Sequence, residues 1–530
     1  MKKLFNKKSI PLLLQEAQAN EHGLKKTLGM WSLIALGIGA IIGAGLFVNT
    51  AKAASDAAGS GVTLSFAVAA IGCAFAGLCY AEFASTIPIA GSAYTYSYAT
   101  LGEIVAWIIG WALVMEYALG AATVSIAWSE YLNNLLGGAI SYEWCHSPFE
   151  HINKLKGVAN IATLKETFPA IAEHAKNGVL ILSDAELNKV SGELHKQVVT
   201  TNGYLNLPAL SILGLITLLL IKGTQESAFI NGIMVFIKVA IVLIFIFIGW
   251  TFIKPENHTP YLIPESTIGH EGIFKWGWGG VLGGAAIVFF AFIGFDAVST
   301  AAQEAKNPKR DMPIGILGSL IVCTILYILF AHVLTGVAHW SEYATAGKEA
   351  SVAYAVNTYM PGYEWLGTSI TIAILAGFSS VILVMLMGQT RVFYSMSNDG
   401  LLPKLFSVLH PKFKTPYKSN IVLLLMVGSF AAFIPGSVAG KLTSFGTLFA
   451  FVIVCAGIIM MRKNFPHLER PFKTPLVPLV PILGIVVCLA MIVALDLTTL
   501  SVAAVWMLVG ILIYFGYSKH HSKLRKDADK

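Results

Sequence analysis

The sequence predicts an all-α polytopic membrane protein of twelve transmembrane helices, and three observations carry that prediction. The 530 residues are 56% hydrophobic and only 12% charged, where a soluble chain carries charge on about a quarter of its residues. The apolar residues are gathered into blocks, among them 205–221, 230–252, 313–334, 420–433 and 502–517, of about the roughly 17–25 residues that a span needs. The positive charges are shared unevenly between the two sets of connecting segments that such spans would leave.

In chain order the blocks centre near residues 40, 72, 118, 213, 241, 290, 324, 380, 427, 452, 485 and 509. Lys2, Lys3, Lys7 and Lys8 precede the first of them, but the apolar run at 10–14 is too short for a cleavable signal. With the N-terminus inside, 24 of the 36 Lys and Arg residues fall in cytoplasmic segments and 11 in outer ones, leaving only Lys238 within a span. Six of the 11 sit in the long segment 137–204, where the rule is weaker. This asymmetry places both termini in the cytoplasm. Spread over loops in this way, the net charge of +7 indicates the lipid bilayer as partner and no nucleic acid.

Glycine interrupts the first and sixth spans. The first reads Gly37-Ile-Gly39-Ala-Ile-Ile-Gly43-Ala-Gly45-Leu-Phe, the sixth Gly283-Gly284-Ala-Ala-Ile-Val-Phe-Phe-Ala-Phe-Ile-Gly294-Phe-Asp296. Glycine is a poor helix former, so such clusters either mark helices that unwind at the midplane or let helices pack closely. Unwound backbone is tolerated in lipid only where protein buries it or it lines a cavity. Interrupted spans at matching positions of two five-helix halves point to an inverted repeat with a midplane binding site.

The segment 137–204 reads as a small helical cap on the outer face. Ser183-Asp-Ala-Glu186 forms a capping box, Leu187, Val190, Leu194 and Val198 follow at helical spacing, and Asn177-Gly178 ends a shorter helix before it. Cys145, His146 and His151 lack a fourth ligand, so they read as loop residues and no metal is expected. The other cysteines, Cys73, Cys79, Cys323, Cys455 and Cys488, fall in spans as small apolar residues.

A charge at the centre of a span costs about 2.5–3.5 kcal/mol on insertion scales, which makes each one a functional candidate. Lys238 lies nine residues into the block 230–252, too deep to reach either surface. Desolvation penalises its charged form, so it either exchanges its proton as a coupling group or stays charged as a strut between helices. Glu116 is equally deep and either relays protons to Lys238 or hydrogen-bonds a neighbouring helix. Asp296 follows the break at Gly294, open to the cavity or to the inner aqueous path. Glu82 and Arg391 lie close to the cytoplasmic ends of the second and eighth spans, where they snorkel or hold structure.

At 37–47 (GIGAIIGAGLF), 290–314 (FAFIGFDAVSTAAQEAKNPKRDMPI) and 388–403 the chain resembles the amino acid-polyamine-organocation (APC) superfamily, with similarity running over most of 25–517. It is most similar to bacterial members of the cationic amino acid transporter branch. The resemblance implies a leucine-transporter-type fold of two inverted five-helix repeats plus two helices. The matching division is a cytoplasmic tail 1–27, a first repeat 28–253 containing the insert, a second repeat 281–461, two final spans within 475–517, and a tail 518–530.

The resemblance also implies the site and its cargo, a small-molecule amino acid and a proton. The second half of the first span begins near Gly43, so the N–H groups of Ala44 and Gly45 suit a carboxylate. Carbonyls of Ile41, Phe290 and Ile293, beside Gly294, would meet an ammonium group. Many relatives carry Ser or Thr where Ala44 stands, so here the carboxylate would rest on backbone donors. Lys238 matches a fifth-span lysine of proton-coupled members, facing carbonyls near Gly37 and Gly39, with Ser379 and Ser380 nearby. Glu116 and Asp296 match acids of relatives, the latter linked to inner gating.

The implied activity is secondary active import by proton symport, with an exchanger of cationic amino acids or a transporter-like nutrient sensor as rivals. The short tails weigh against a sensor. An enzyme is not expected, because no HExxH, GxSxG or P-loop pattern is present, and no cofactor is implied. Side-chain selectivity leans to neutral or broad.

Overall fold

The structure is a computed structural model that describes residues 6–10, 26–156, 160, 162, 179–182, 187, 196–264, 275–344, 351–493, 495 and 497–528. Among the described residues stand twelve apolar helices, eight long enough to cross a membrane and four shorter. They fall on the twelve blocks of the sequence and make a mostly helical polytopic membrane protein.

Span 1 is divided. Met30–Ile41 ends where Ile42 turns extended (ψ 102), and a short helix, Ala44–Phe47, resumes after Gly43. Span 6 divides likewise: Gly277–Val288 tightens into a 3-10 turn at Phe289–Phe292, Ile293 is extended (ψ 134), and Ala297–Thr300 follows. The glycines explain where the breaks fall. Gly294 holds φ +115, and a Cβ there would lie 2.8 Å from Ala40 Cβ; a side chain on Gly45 would run into the backbone of Ala291. The two breaks therefore pack backbone on backbone, as only glycine allows.

The remaining spans are span 2 (Val62–Thr86), span 3 (Glu103–Val114, a π turn at Met115–Leu119, Gly120–Leu135), span 4 (Leu207–Lys222) and span 5 (Thr224–Gly249). After the sixth come span 7 (Pro308–Val337), span 8 (Glu364–Asn398), span 9 (Tyr417–Phe433), span 10 (Gly436–Asn464), span 11 (Leu479–Val493) and span 12 (Leu497–Ile513). Spans 3 and 8 are the most enclosed of the long ones, and spans 5 and 12 the least. Phe229, Phe236, Phe247, Leu508 and Leu512 stand exposed on those outer spans, as side chains facing hydrocarbon should.

Both tails lie at one end of the bundle. Lys8 Nζ binds Asp399 Oδ1 at 2.6 Å, and Arg525 Nε binds Glu103 Oε1 at 2.6 Å. Glu82 belongs to the same end and is structural. It takes two bonds from Arg462 (3.1 and 2.8 Å), one from the Thr474 amide (2.7 Å) and an ion pair with Arg470 (3.3 Å), tying span 2 to the connection between spans 10 and 11. Arg391 is likewise buried and paired with Glu304.

The segment after span 3 departs from the expected helical cap. Its described part includes a three-stranded antiparallel sheet of order β2-β1-β3, with β1 His151–Lys156, β2 Val179–Leu182 and β3 Val198–Asn202, beside helical positions at Asn160, Ala162 and Leu187. Val198, the end of the expected helical stripe, opens β3. The run Val-Val-Thr-Thr is β-branched throughout, which favours an extended backbone over a helix. Leu155 and Leu180 pair across the sheet and are fully buried. The capping box at 183–186 and the stop at 177–178 lie outside the described residues.

Candidate functional site

Lys238 projects from the middle of span 5 and is fully buried. Its ammonium donates to the carbonyl oxygens of Gly39 (2.9 Å) and Ile42 (2.8 Å) and to Ser380 Oγ (2.8 Å). Three hydrogens thus meet three acceptors. The last carbonyls of a helix have no partner within it, so the break in span 1 supplies what a buried cation needs. Hydrogen bonds to a charged group are worth roughly 1.5–3 kcal/mol each, and without them the desolvation of the ammonium would be uncompensated. Ser380 keeps its own hydrogen for Gly39 O (2.9 Å) or Gly377 O (2.8 Å).

Of the two carbonyls expected around Lys238, Gly39 is present and Ile42 takes the place of Gly37. Gly37 instead faces spans 6 and 7, where an added Cβ would come within 3.1 Å of Val298 and closer still to Ser319. Ser379 turns its hydroxyl to Leu375 O (2.8 Å), so of the serine pair only Ser380 holds the lysine.

At the two breaks lies a cavity of about 20 Å³ lined by Ala40, Ile41, Gly43, Gly45, Phe290, Ile293, Gly120, Val124, Val381, Met385 and Thr443. That is space for about one water, so the breaks are drawn shut around it. Most of the expected substrate residues line it: Ile41, Gly43, Gly45, Phe290 and Ile293. Ala44 opens the second half-helix of span 1 between two of them, and Gly294 packs against Ala40 of the same lining. Two of the three carbonyls expected to be waiting for an ammonium group already have partners. Ile41 O shares the Tyr327 hydroxyl (2.9 Å) with Ala291 O (2.9 Å), and Phe290 O accepts from the Ile293 amide (3.3 Å). Each keeps a second lone pair.

Glu116 and Asp296 are fully buried and form a second cluster, one in which no cation stands among the described residues. Asp296 Oδ2 accepts from Tyr117 Oη at 2.5 Å, and Glu116 lies against Asp296 and Thr447. Both Glu116 and Tyr117 stand in the π turn Met115–Leu119 and both meet Asp296 of span 6 from it; such turns recur at functional sites. The cluster sits one helical turn from the cavity on two helices at once, since Gly120 and Thr443 line the cavity while Glu116, one turn before Gly120, meets Asp296 and Thr447, one turn after Thr443. Of the two roles expected for Glu116, contact with a neighbouring helix is the one seen, and no hydrogen bond joins it to Lys238: the lysine's hydrogen-bond partners are carbonyls and a hydroxyl, and Glu116 lies with Asp296.

Sequence alone does not single out Tyr117, Tyr327, Thr443, Val124, Val381 or Met385. Tyr117 carries a signal, standing next to a buried acid. The others are uncharged residues in apolar runs, and only the crossing of helices brings them to the breaks.

Residues 28–516 match the family described as amino acid permease. The chain is 42% identical over 523 residues to the branched-chain amino acid permease BcaP of Bacillus subtilis, covering 99% of each. It is 37% identical to the methylthioribose transporter of the same organism, covering 99% of this chain and 100% of that one. With the BcaP permease of Lactococcus lactis identity is 31%, over 95% of this chain and 97% of the other. A bundle of apolar helices enclosing paired breaks, with this extent of likeness, leaves one reading: the chain belongs to the amino acid permease family, integral membrane transporters rather than enzymes.

Proposed function

We propose that this permease imports neutral, branched aliphatic L-amino acids together with protons, by alternating access in a leucine-transporter-type fold. The repeats would be 28–253 and 281–461, followed by two peripheral spans, and the end that gathers the tails would face the cytoplasm of a bacterial cell, as the charge asymmetry indicates. The observation that carries the coupling is the seat of Lys238. Among the described residues, its ammonium is the only cation in the polar contacts made to the first half of span 1 at the break. Losing the proton removes the charge that holds Gly39 and Ile42, and the half-helix is freed to swing.

The cavity supports the substrate class. The amino-acid carboxylate would take the backbone N–H groups of Ala44 and Gly45, and the ammonium group the carbonyls of Ile41, Phe290 and Ile293. The side chain would face Gly120, Val124, Val381, Met385 and Thr443, none of them charged. Burying a leucine side chain there is worth about 1.5–3 kcal/mol, whereas a guanidinium would lose its hydration without a carboxylate in return. Two relatives named for branched-chain amino acids agree with this.

The test is uptake of radiolabelled leucine into proteoliposomes under an imposed inward pH gradient. Accumulation above the external concentration is expected, with collapse on addition of an uncoupler. Full accumulation by Lys238→Ala would remove the lysine from the coupling. Counterflow indifferent to uncouplers would replace symport by exchange. The likeness to a methylthioribose transporter motivates a second substrate reading, a thioether sugar, which competition with leucine uptake decides.

A further inference from the structure

Span 7 touches both breaks through one atom. The hydroxyl of Tyr327 lies 2.9 Å from Ile41 O and 2.9 Å from Ala291 O. Ile41 ends the first half of span 1, and Ala291 lies in the last turn of the first half of span 6. The ring is fully buried and fixed between Phe66 and Phe292, each 5.3 Å away between centroids. Ile41 also lines the cavity.

A phenol hydroxyl carries one hydrogen. It can satisfy only one of these two carbonyls at a time, and both belong to helix ends that lack partners of their own. The second carbonyl is thus held at hydrogen-bonding distance from an oxygen and remains short of a donor. An ammonium group arriving in the cavity brings three donors. We propose that Tyr327 is a positioning residue for substrate, a crosspiece that holds the carbonyl ends of spans 1 and 6 at the spacing an amino-acid ammonium group requires and leaves one of them in need of it. Lys238 and Tyr327 then grip the same end of span 1 from two sides, the lysine as the partner that exchanges a proton and the tyrosine as one that does not.

This inference rests on the chain being an amino-acid importer. Tyr327→Phe removes the hydroxyl and keeps the ring. The KM for leucine is expected to rise roughly tenfold, the worth of one hydrogen bond of about 1.4 kcal/mol. The maximal rate should stay within about twofold, and the pH profile of uptake should not move. Inhibition by 2-hydroxy-4-methylpentanoate, in which a hydroxyl replaces the ammonium group, is expected to be unchanged. Tyr327→Gln, which restores an N–H donor on a shorter stem, is expected to fall between the two and carries the same readouts if the phenylalanine variant does not fold. A wild-type KM, equal losses for leucine and the hydroxy acid, or a displaced pH profile would overturn the proposal. Absence of leucine uptake by the wild-type protein in the same vesicles would instead overturn the assigned function.

Discussion

Tyr117 donates its hydroxyl hydrogen to Asp296 at 2.5 Å, and this one bond joins the π turn of span 3 to the first residues after the break in span 6. Asp296 is completely enclosed, and among the described residues its other oxygen has no hydrogen-bond partner apart from the neighbourhood of Glu116. Tyr117→Phe would leave a buried carboxyl group short of a donor, at a cost of about 1–3 kcal/mol. A lowered Tm in detergent and a reduced uptake rate are expected. Asp296→Asn keeps an acceptor for Tyr117, so it should recover the Tm while still failing to drive uptake. If both variants transport normally, the carboxyl cluster is a packing feature and no part of the coupling.

Much of the site can be read from residue type alone. Charges and glycines are conspicuous in apolar spans, so Lys238, Glu116, Asp296 and the breaks at Gly43 and Gly294 stand out without any geometry. What residue type does not carry is which helices cross. Glu116 and Lys238 look like partners because both are deep and oppositely charged, yet Glu116, in the π turn of span 3, meets span 6, while Lys238 reaches span 1. Tyr327 shows the same limit, being one aromatic residue among many until its hydroxyl is found between two breaks. In the insert, spacing misleads at the last position of the expected stripe: Leu187 is helical and 190 and 194 lie outside the described residues, but the β-branched run that begins at Val198 pairs with β1 through the register Leu155 opposite Val198.

Gly120 sets part of the size of the cavity at the breaks, where the proposed substrate's side chain would lie. A methyl group added there would stand 3.3 Å from Thr443 Cγ2 and 3.8 Å from Met385 Sδ, both lining residues. Gly120→Ala therefore narrows the pocket at the end where a branched side chain would sit. Overpacking costs about 1–3 kcal/mol, so the KM for leucine and isoleucine should rise at least about fivefold, with a smaller change for alanine. Competition of unlabelled amino acids against labelled alanine measures the ratio. Equal effects on all three would place the side chain elsewhere.

Outside the spans, His258 gives the fold a pH dependence of definite sign. Its ring lies 4.5 Å from that of His332, and its Nε2 is 3.3 Å from Thr335 Oγ1. Partial burial, and then the charge of His332, hold its pKa below the ordinary value of 6.5. The native state therefore binds this proton less readily than the unfolded chain, and stability falls as pH drops through about 6.5, levelling off below the native value. The Tm should decline between about pH 7.5 and about pH 5.5. His258→Asn should flatten part of that decline, and an identical slope in the variant would exclude His258 as its source.

Glu103, at the start of span 3, ties the C-terminal tail to the bundle. It is fully buried and accepts from Tyr98 (3.0 Å), Tyr514 (2.8 Å), Ser522 (2.5 Å) and Arg525 (2.6 Å). Its amide donates to Asn6 O, while Lys523 N donates to Asp399 O and Lys8 pairs with Asp399. Residues from both tails thus close over one end of spans 3 and 8. Removing one member of a buried ion pair strands the other, which costs about 3–5 kcal/mol where no other donors remain. Three hydroxyls remain on Glu103, so Arg525→Met should cost less, about 2 kcal/mol. Adding Glu103→Gln to it should restore part of the loss, because the neutral amide can use the same hydroxyls without a stranded charge. A double-mutant cycle on Tm tests this, and strict additivity of the two changes would show that the tail does not depend on this pair. Because the tails cover the end through which substrate would leave, Arg525→Met is also expected to raise the rate of counterflow, as a closed state that has lost a tie opens more often.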